Sequence, residues 1–383
     1  MSPTGMMPRL IRIDSPIHNT GNPFEGSDMP GLQEALQGNS GLPDGFLKLW
    51  SESMEKEDFF RLVISIGNYY RDLGDASRAE ELYNLGLDRW SSGCSLSLLA
   101  EALLQRADVY KTQGKWREAI ADFERGRRIY QQLNIPVAAG RVENILGLSY
   151  ALRGKIKRAK SYIRHALQSF EHFNEVVDSG IAQMNLGVVS SLLGDYDAAL
   201  SSYHRARSHF EEVGDPARLA LLHYRIGMAF LAKRSFGDAA RQFDRTASLG
   251  KKASSPTFQG LSNLGRAIIL FELGDMKASL TFANQAREAL STHDNRIHAA
   301  DLFLLKGKIY RSEKRLELAE WYFRTSLSIN QAMENRYGVA ECCRQLGILY
   351  ACSDKKSGAR IALEKSLRHS RPSGLCMMQK ACR

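Results

Sequence analysis

The sequence predicts an all-α chain: a right-handed α-α superhelical solenoid of about eight helix-turn-helix repeats. Three observations carry that prediction. A small residue recurs every 40 residues without insertion or deletion, at Gly67, Ala107, Gly147, Gly187, Gly227, Ala267, Gly307 and Gly347. Fixed offsets from this anchor hold the same residue types in nearly every copy. The prolines between Ser51 and Ser370 (Pro136, Pro216 and Pro256) all fall 29 residues past an anchor. A period in this range marks stacked copies of one supersecondary unit. Such arrays present an extended binding surface more often than a catalytic centre.

The elements follow in chain order. Residues 1–42 hold Pro3, Pro8, Pro16, Pro23 and Pro30 among many Gly, Ser and Asn. They read as a disordered leader that lacks the apolar residues needed to offset ordering. Residues 43–54, with Phe46, Leu47, Leu49 and Trp50, read as a short helix capping the first repeat, because the open face of a terminal repeat needs a cover. A docking peptide is the rival reading. Residues 55–370 form the solenoid and residues 371–383 a disordered basic tail.

Within each repeat, the anchor and the residue three positions on (Tyr70, Tyr110, Tyr150, Ser190, Phe230, Leu270, Tyr310, Tyr350) lie on one helical face. Seven positions on, Gly74, Gly114, Gly154, Gly194 and Gly274 end that helix with φ > 0, whereas Arg234, Lys314 and Asp354 depart from the pattern. A second helix carries Ala79, Ala119, Ala159, Ala199, Ala239, Ser279, Ala319 and Ala359 at offset 12. Offset 16 is bulky (Tyr83, Phe123, Ile163, Tyr203, Phe243, Phe323, Leu363, with Ala283 the exception), and offset 19 is small again. Small residues let helix backbones approach, and the aromatic residues are expected to fill the space between adjacent units. Asp215-Pro216 and Ser255-Pro256 read as an N-cap followed by proline at the first helical position. The first helix then spans 136–152 in the third repeat and the second about 155–173.

This order of small, tyrosine, glycine, alanine, aromatic, small and proline positions resembles the tetratricopeptide repeat. The 40-residue period is similar to the long-helix variants in MalT-type regulators, Rap-type response regulators, kinesin light chains and the Pins/LGN class of scaffolds. Asn185-Leu186-Gly187 resembles the Asn-Leu-Gly step of those variants. The resemblance implies that the first helices line a concave groove. Offsets −3, +1 and +4, spaced to share one stripe, then face it. The groove residues it implies are Asn144, Leu148, Met184, Val188, Tyr224, Met228, Leu231, Leu264, Ile268, Phe271, Lys308 and Arg311, with Ala151 and Ser191 on the same stripe. At the two ends the stripe turns polar, through Asn68, Arg71, Asp108 and Lys111 and then Lys308, Arg311 and Arg344. Methionine adapts to varied ligands, and an apolar floor with charged flanks suits an amphipathic helix or an extended peptide. Burial of the stripe between longer helices is the competing reading.

Composition narrows the remaining classes. The formal net charge is +10. From Asp354 to the end stand eight basic residues (Lys355, Lys356, Arg360, Lys365, Arg368, Arg371, Lys380, Arg383) against Asp354 and Glu364. No apolar run reaches the roughly 18 residues of a membrane span, so no membrane insertion is expected. Cys94, Cys342, Cys343, Cys352, Cys376 and Cys382 contain no C-x-x-C pair, which suits a reducing cytoplasm and gives no zinc or disulfide framework. There is no phosphate loop, H-E-x-x-H motif or nucleophile elbow. No catalytic residue, cofactor or metal is therefore expected. The reading is a non-catalytic scaffold or adaptor holding a peptide or helix of a protein partner. Nucleic acid is not the expected partner, yet two alternatives stay open. One is a nucleic-acid-associated regulator acting through Arg125–Arg128, Lys155–Arg158 and the tail. The other is a peptide-sensing signalling regulator similar to the Rap class. The uncapped last helix, with Leu363 and Leu367, is expected to give weak self-association.

Overall fold

The computed structural model describes residues 54–91, 94–290 and 296–370. These form helices α1 (Lys56–Asp72), α2 (Ala76–Arg89), α3 (Leu96–Gln113), α4 (Trp116–Gln132), α5 (Pro136–Leu152), α6 (Ile156–His172), α7 (Val176–Leu192), α8 (Tyr196–Glu212), α9 (Pro216–Ala232), α10 (Phe236–Lys252), α11 (Pro256–Glu272), α12 (Met276–Ala289), α13 (Arg296–Ser312), α14 (Leu316–Ala332), α15 (Arg336–Cys352) and α16 (Lys356–Ser370). No strand occurs among the described residues. Odd-numbered helices carry the anchors and even-numbered helices the offset-12 alanines, so the eight predicted hairpins are present. The expected leader, the tail and residues 43–53 of the expected capping helix lie outside the described residues.

Contacts group the chain into two compact units that meet inside α5, one ending at Val142 and the other starting at Glu143. In the first, α1 to α4 pack in sequence and α1 also touches α3. In the second, from α6 onward, each helix packs on the next, and the first helices α7, α9, α11, α13 and α15 touch one another in turn. Consecutive second helices of the described chain make no comparable contact. The first helices therefore lie on the inner side of the curvature.

The turns explain why the period tolerates its departures. Gly194 sits at φ 77°, its N–H bonds Ser191 O at 2.9 Å and the Asp195 N–H bonds Ser190 O at 3.0 Å. This is the Schellman pattern, which satisfies the last carbonyls of α7. Asp195 then caps α8 by accepting from the Ala198 N–H at 3.1 Å. Arg234, Lys314 and Asp354 adopt the same left-handed geometry at φ 59°, 62° and 53°, so loss of glycine leaves the turn unchanged. A second set of left-handed residues (Asn134, Asn174, Gly214, Ser254, Glu334) makes the turns between repeats. The paired N-cap expectation holds at Asp215, whose carboxylate accepts from the Ala217 and Arg218 N–H groups at 3.0 and 2.9 Å. It fails at Ser255, whose side chain makes no cap hydrogen bond although Pro256 opens the helix.

The core is built as the offsets imply, with one correction. The offset-16 aromatic residues fill space inside their own repeat as well as between repeats. A Cβ placed on Gly227 would lie 2.6 Å from the Phe243 ring, and one on Gly265 of the next repeat 2.5 Å. Phe243 is thus held between the first helices of two successive repeats. The offset-19 hydroxyls are buried but partnered: Ser326 Oγ donates to Ala300 O at 2.7 Å and Ser366 Oγ to Ala340 O at 2.8 Å. Where offset 3 is tyrosine, a cation from the following turn often covers it. Arg315 lies 4.9 Å from the Tyr310 ring and Lys355 5.8 Å from Tyr350, a favourable cation–π arrangement.

Candidate ligand groove

Curvature decides how much of the predicted stripe reaches the surface. In the unit from Glu143, Asn144, Met184, Tyr224 and Leu264 at offset −3 are all buried. Neighbouring first helices close over them. Asn185 Nδ2 donates to Asn144 Oδ1 at 3.1 Å, joining α7 to α5. Met184, Tyr224 and Leu264 belong to the continuous apolar core. The residues at offsets +1 and +4 are half-buried: Leu148, Val188, Met228, Ile268 and Lys308, then Ser191, Leu231, Phe271 and Arg311. Ala151 is buried. The reachable floor is therefore the +1/+4 row, apolar from Leu148 to Phe271 except at Ser191 and cationic at Lys308 and Arg311.

The cations at the ends of the stripe are engaged. Arg311 Nη1 donates to Gln345 Oε1 at 2.6 Å, and its guanidinium lies 5.8 Å from the Phe323 ring. In the unit up to Val142 the same bridge joins Arg71 to Gln105, one repeat apart as before. Asn68 Oδ1 accepts from Tyr83 Oη at 2.7 Å and from Arg71 at 3.0 Å. Lys111 pairs with Asp108 at 3.0 Å. Arg344 pairs with Glu341 at 2.8 Å, and Lys308 lies 3.4 Å from the same carboxylate. Burial alone would raise Glu341, but hydrogen bonds from Arg344 and the charge of Lys308 hold its carboxyl below the usual range. Burial lowers Arg311.

Sequence offsets did not reveal a polar cluster between α9 and α13. The rings of Tyr224 and His298 meet edge to face at 5.4 Å, although they stand two repeats apart. Burial pushes Asp301 up to about 7 against the opposing pull of Lys308. Burial, with help from Arg225, drives His298 down to about 3, so its imidazole is neutral across the physiological range. Burial also raises Tyr224. His298 Nδ1 and Arg225 Nε are buried without a hydrogen-bond partner. His298 at offset −9 and Asp301 at offset −6 lie outside the expected stripe, and only the sharp curvature brings α13 against α9.

Among the described residues no group of three or more His, Cys, Asp and Glu could hold a metal ion. No helix there is long and apolar enough to cross a membrane. Cys342, Cys343 and Cys352 lie in α15. Cys342 is buried, donates to Ser326 Oγ at 3.2 Å and has its thiol pushed up to about 12, chiefly by burial.

Family profiles described as tetratricopeptide repeat match residues 61–132 and 300–333. The chain is a helical repeat protein of the tetratricopeptide type. Solved structures extend that likeness to most of the array. A Rap protein complexed with competence and sporulation factor is similar with a TM-score of 0.61 at 16% identity, covering 76% of this chain and 80% of that one. NprR in complex with its cognate peptide NprX gives 0.61 at 15% identity, covering 84% and 91%. Aspartyl phosphate phosphatase F from Bacillus subtilis gives 0.58 at 15% identity, covering 72% and 71%. At these identities the likeness of this tetratricopeptide protein to them is one of fold. No curated protein sequence matches it significantly.

Proposed function

We propose that the chain is a non-catalytic interaction scaffold that holds a peptide or helical segment of a protein partner on the inner face of its first helices. One observation carries the reading. Leu148, Val188, Met228 and Ile268 occupy the same offset in four successive repeats, and each is half-buried. A continuous apolar track with one side chain per repeat is the surface that an apolar segment with regularly spaced anchors can cover. Leu231 and Phe271 widen the track, and Lys308 and Arg311 give it a positive end. Two structural neighbours of the same architecture, a Rap protein and NprR, are complexed with competence and sporulation factor and with the peptide NprX respectively, which supports a peptide-sensing version of this role.

A photo-crosslinking residue placed at Met228 is expected to capture the partner, and the same group at Lys157 on the outer face of α6 is not. Equal capture at both positions would reject the inner face as the binding surface. The nucleic-acid alternative rests on the outer faces, where Lys157, Arg158 and Arg164 are exposed. The other basic run is partly neutralised internally, since Arg127 pairs with the Glu124 carboxylate at 3.0 Å, while Arg128 bonds only the Glu124 backbone carbonyl, at 3.2 Å.

A further inference from the structure

A one-dimensional array should place contacts only between neighbouring repeats. The unit from Glu143 departs from that rule modestly at Tyr224–His298, two repeats apart, and much further between the third and eighth repeats. Arg153, in the turn after α5, donates from Nε to Glu334 Oε2 at 2.7 Å. The two residues are 181 positions apart. Glu334 is the left-handed residue of the turn before α15. The Arg153 side chain is 9% exposed and also bonds Ser149 O at 2.6 Å, so it is fixed in place rather than lying on the surface. Next to it, a Cβ on Gly154 would lie 3.1 Å from Arg336 Cδ. Arg336 in turn donates to His369 O at 2.7 Å and to Arg368 O at 2.8 Å, where a cation suits the negative end of α16.

Arg153 lies on the edge that carries turns within repeats, and Glu334 on the opposite edge, which carries turns between repeats. Opposite edges meet only when the superhelix has gone once around and the next turn has come to rest on the previous one. In this segment that happens between the third repeat and the start of the eighth. We propose that Arg153, Glu334 and Arg336 form a clasp between successive superhelical turns, fixing the pitch of the unit from Glu143 and closing the side seam of its groove. The small per-repeat rotations of a solenoid add up, so one contact between distant repeats restrains all of them together. A ligand that needs the seam opened must break the clasp, and one that fits the closed pitch reinforces it. The clasp stands independently of the proposed peptide-binding role, because it is read from the free protein.

The test is a charge-swap cycle on the full chain: Arg153→Glu, Glu334→Arg, and both together. Small-angle X-ray scattering reports the radius of gyration, and hydrogen exchange with mass spectrometry reports protection at residues 149–156 and 333–338. Far-UV circular dichroism checks that helicity is retained. Each single variant is expected to show a larger radius of gyration and several-fold faster exchange in both segments. The swapped pair is expected to return toward wild type on both readouts. Should either single variant lose helicity, Glu334→Gln gives the same comparison without charge repulsion. Single variants with wild-type radius and wild-type exchange would overturn the clasp. So would a swapped pair no better than the singles.

Discussion

Replacing Gly187 by alanine tests the packing rule that sets the period. A Cβ at Gly187 would lie 2.4 Å from Tyr203 Cε1 and 2.6 Å from Cδ1. Carbon–carbon contact is comfortable from ~3.5 Å, so one atom or the other must shift by about 1.1 Å. Tyr203 has little room to do so. Its side chain is buried, and its hydroxyl lies 3.2 Å from Ser191 Oγ. Overpacking of this kind costs about 1–3 kcal/mol, and the size of the overlap places it toward the upper end. The alanine recovers about 1 kcal/mol of helix propensity, leaving a net loss of about 1–2 kcal/mol. Gly237 supplies the control. It is helical, and nothing lies within 4 Å of the position a Cβ would take, so Gly237→Ala should stabilise by about 0.5–1 kcal/mol. Urea unfolding followed by circular dichroism compares the two. Adding Tyr203→Leu to Gly187→Ala should cost less than the sum of the single changes by more than ~0.5 kcal/mol. A Gly187→Ala protein as stable as wild type, or additive costs in the double variant, would refute the close approach of α7 and α8.

Other named residues carry four further expectations. Arg234 holds φ 59° where its counterparts are glycine, so Arg234→Gly should raise stability by about 0.5–1 kcal/mol in the same assay, because a side chain strains the left-handed conformation. Between about pH 4 and pH 7 the folded chain holds a proton on Asp301 that the unfolded chain has lost, so this group lowers stability as pH rises. From about pH 6.5 down to pH 3 the unfolded chain binds a proton that folded His298 refuses, so this group raises stability with pH, opposing Asp301 over the shared range. Unfolding midpoints should therefore climb from pH 4 to 6.5 more steeply in Asp301→Asn than in wild type, and His298→Gln should tilt the profile the other way. Cys352 is exposed whereas Cys342 is buried, so brief alkylation of the native protein should label Cys352 and spare Cys342 until urea is added, as read by peptide mass spectrometry. Ile361, Leu363 and Leu367 remain exposed on the last helix; Leu367→Glu should abolish any concentration-dependent mass increase seen for wild type by light scattering.

The repeat architecture was legible because packing rules act on residues close in sequence. Gly187 and Tyr203 are sixteen residues apart in one hairpin, and their complementarity is written into the offsets. The left-handed turns were half legible. Gly194 announced its conformation, whereas Arg234 and Lys314 reach the same φ through tertiary constraint, which overrides propensity. The turns between repeats carried a weaker signal in Asn134, Asn174 and Gly214. The groove was legible only as a stripe. How deep each position lies depends on curvature, a sum of small rotations that no single repeat encodes. Hence Met184 and Tyr224 are interior, while Val188 and Met228, four residues further along their helices, are reachable. The Tyr224–His298 contact and the Arg153–Glu334 pair join residues with no periodic relation, and they arise from the same accumulated rotation.

The central claim is that the half-buried apolar track holds the partner, and charging that track without disturbing the core tests it most directly. Wild type and a Val188→Glu/Met228→Glu variant of retained helicity would be used in parallel for affinity capture from nuclease-treated native lysate, with quantitative mass spectrometry. Met184 is left untouched because a charge there would enter the core. The account predicts a protein partner enriched by wild type and lost with the variant. An identical set of partners retained by both would contradict it and move the binding surface to the outer helices.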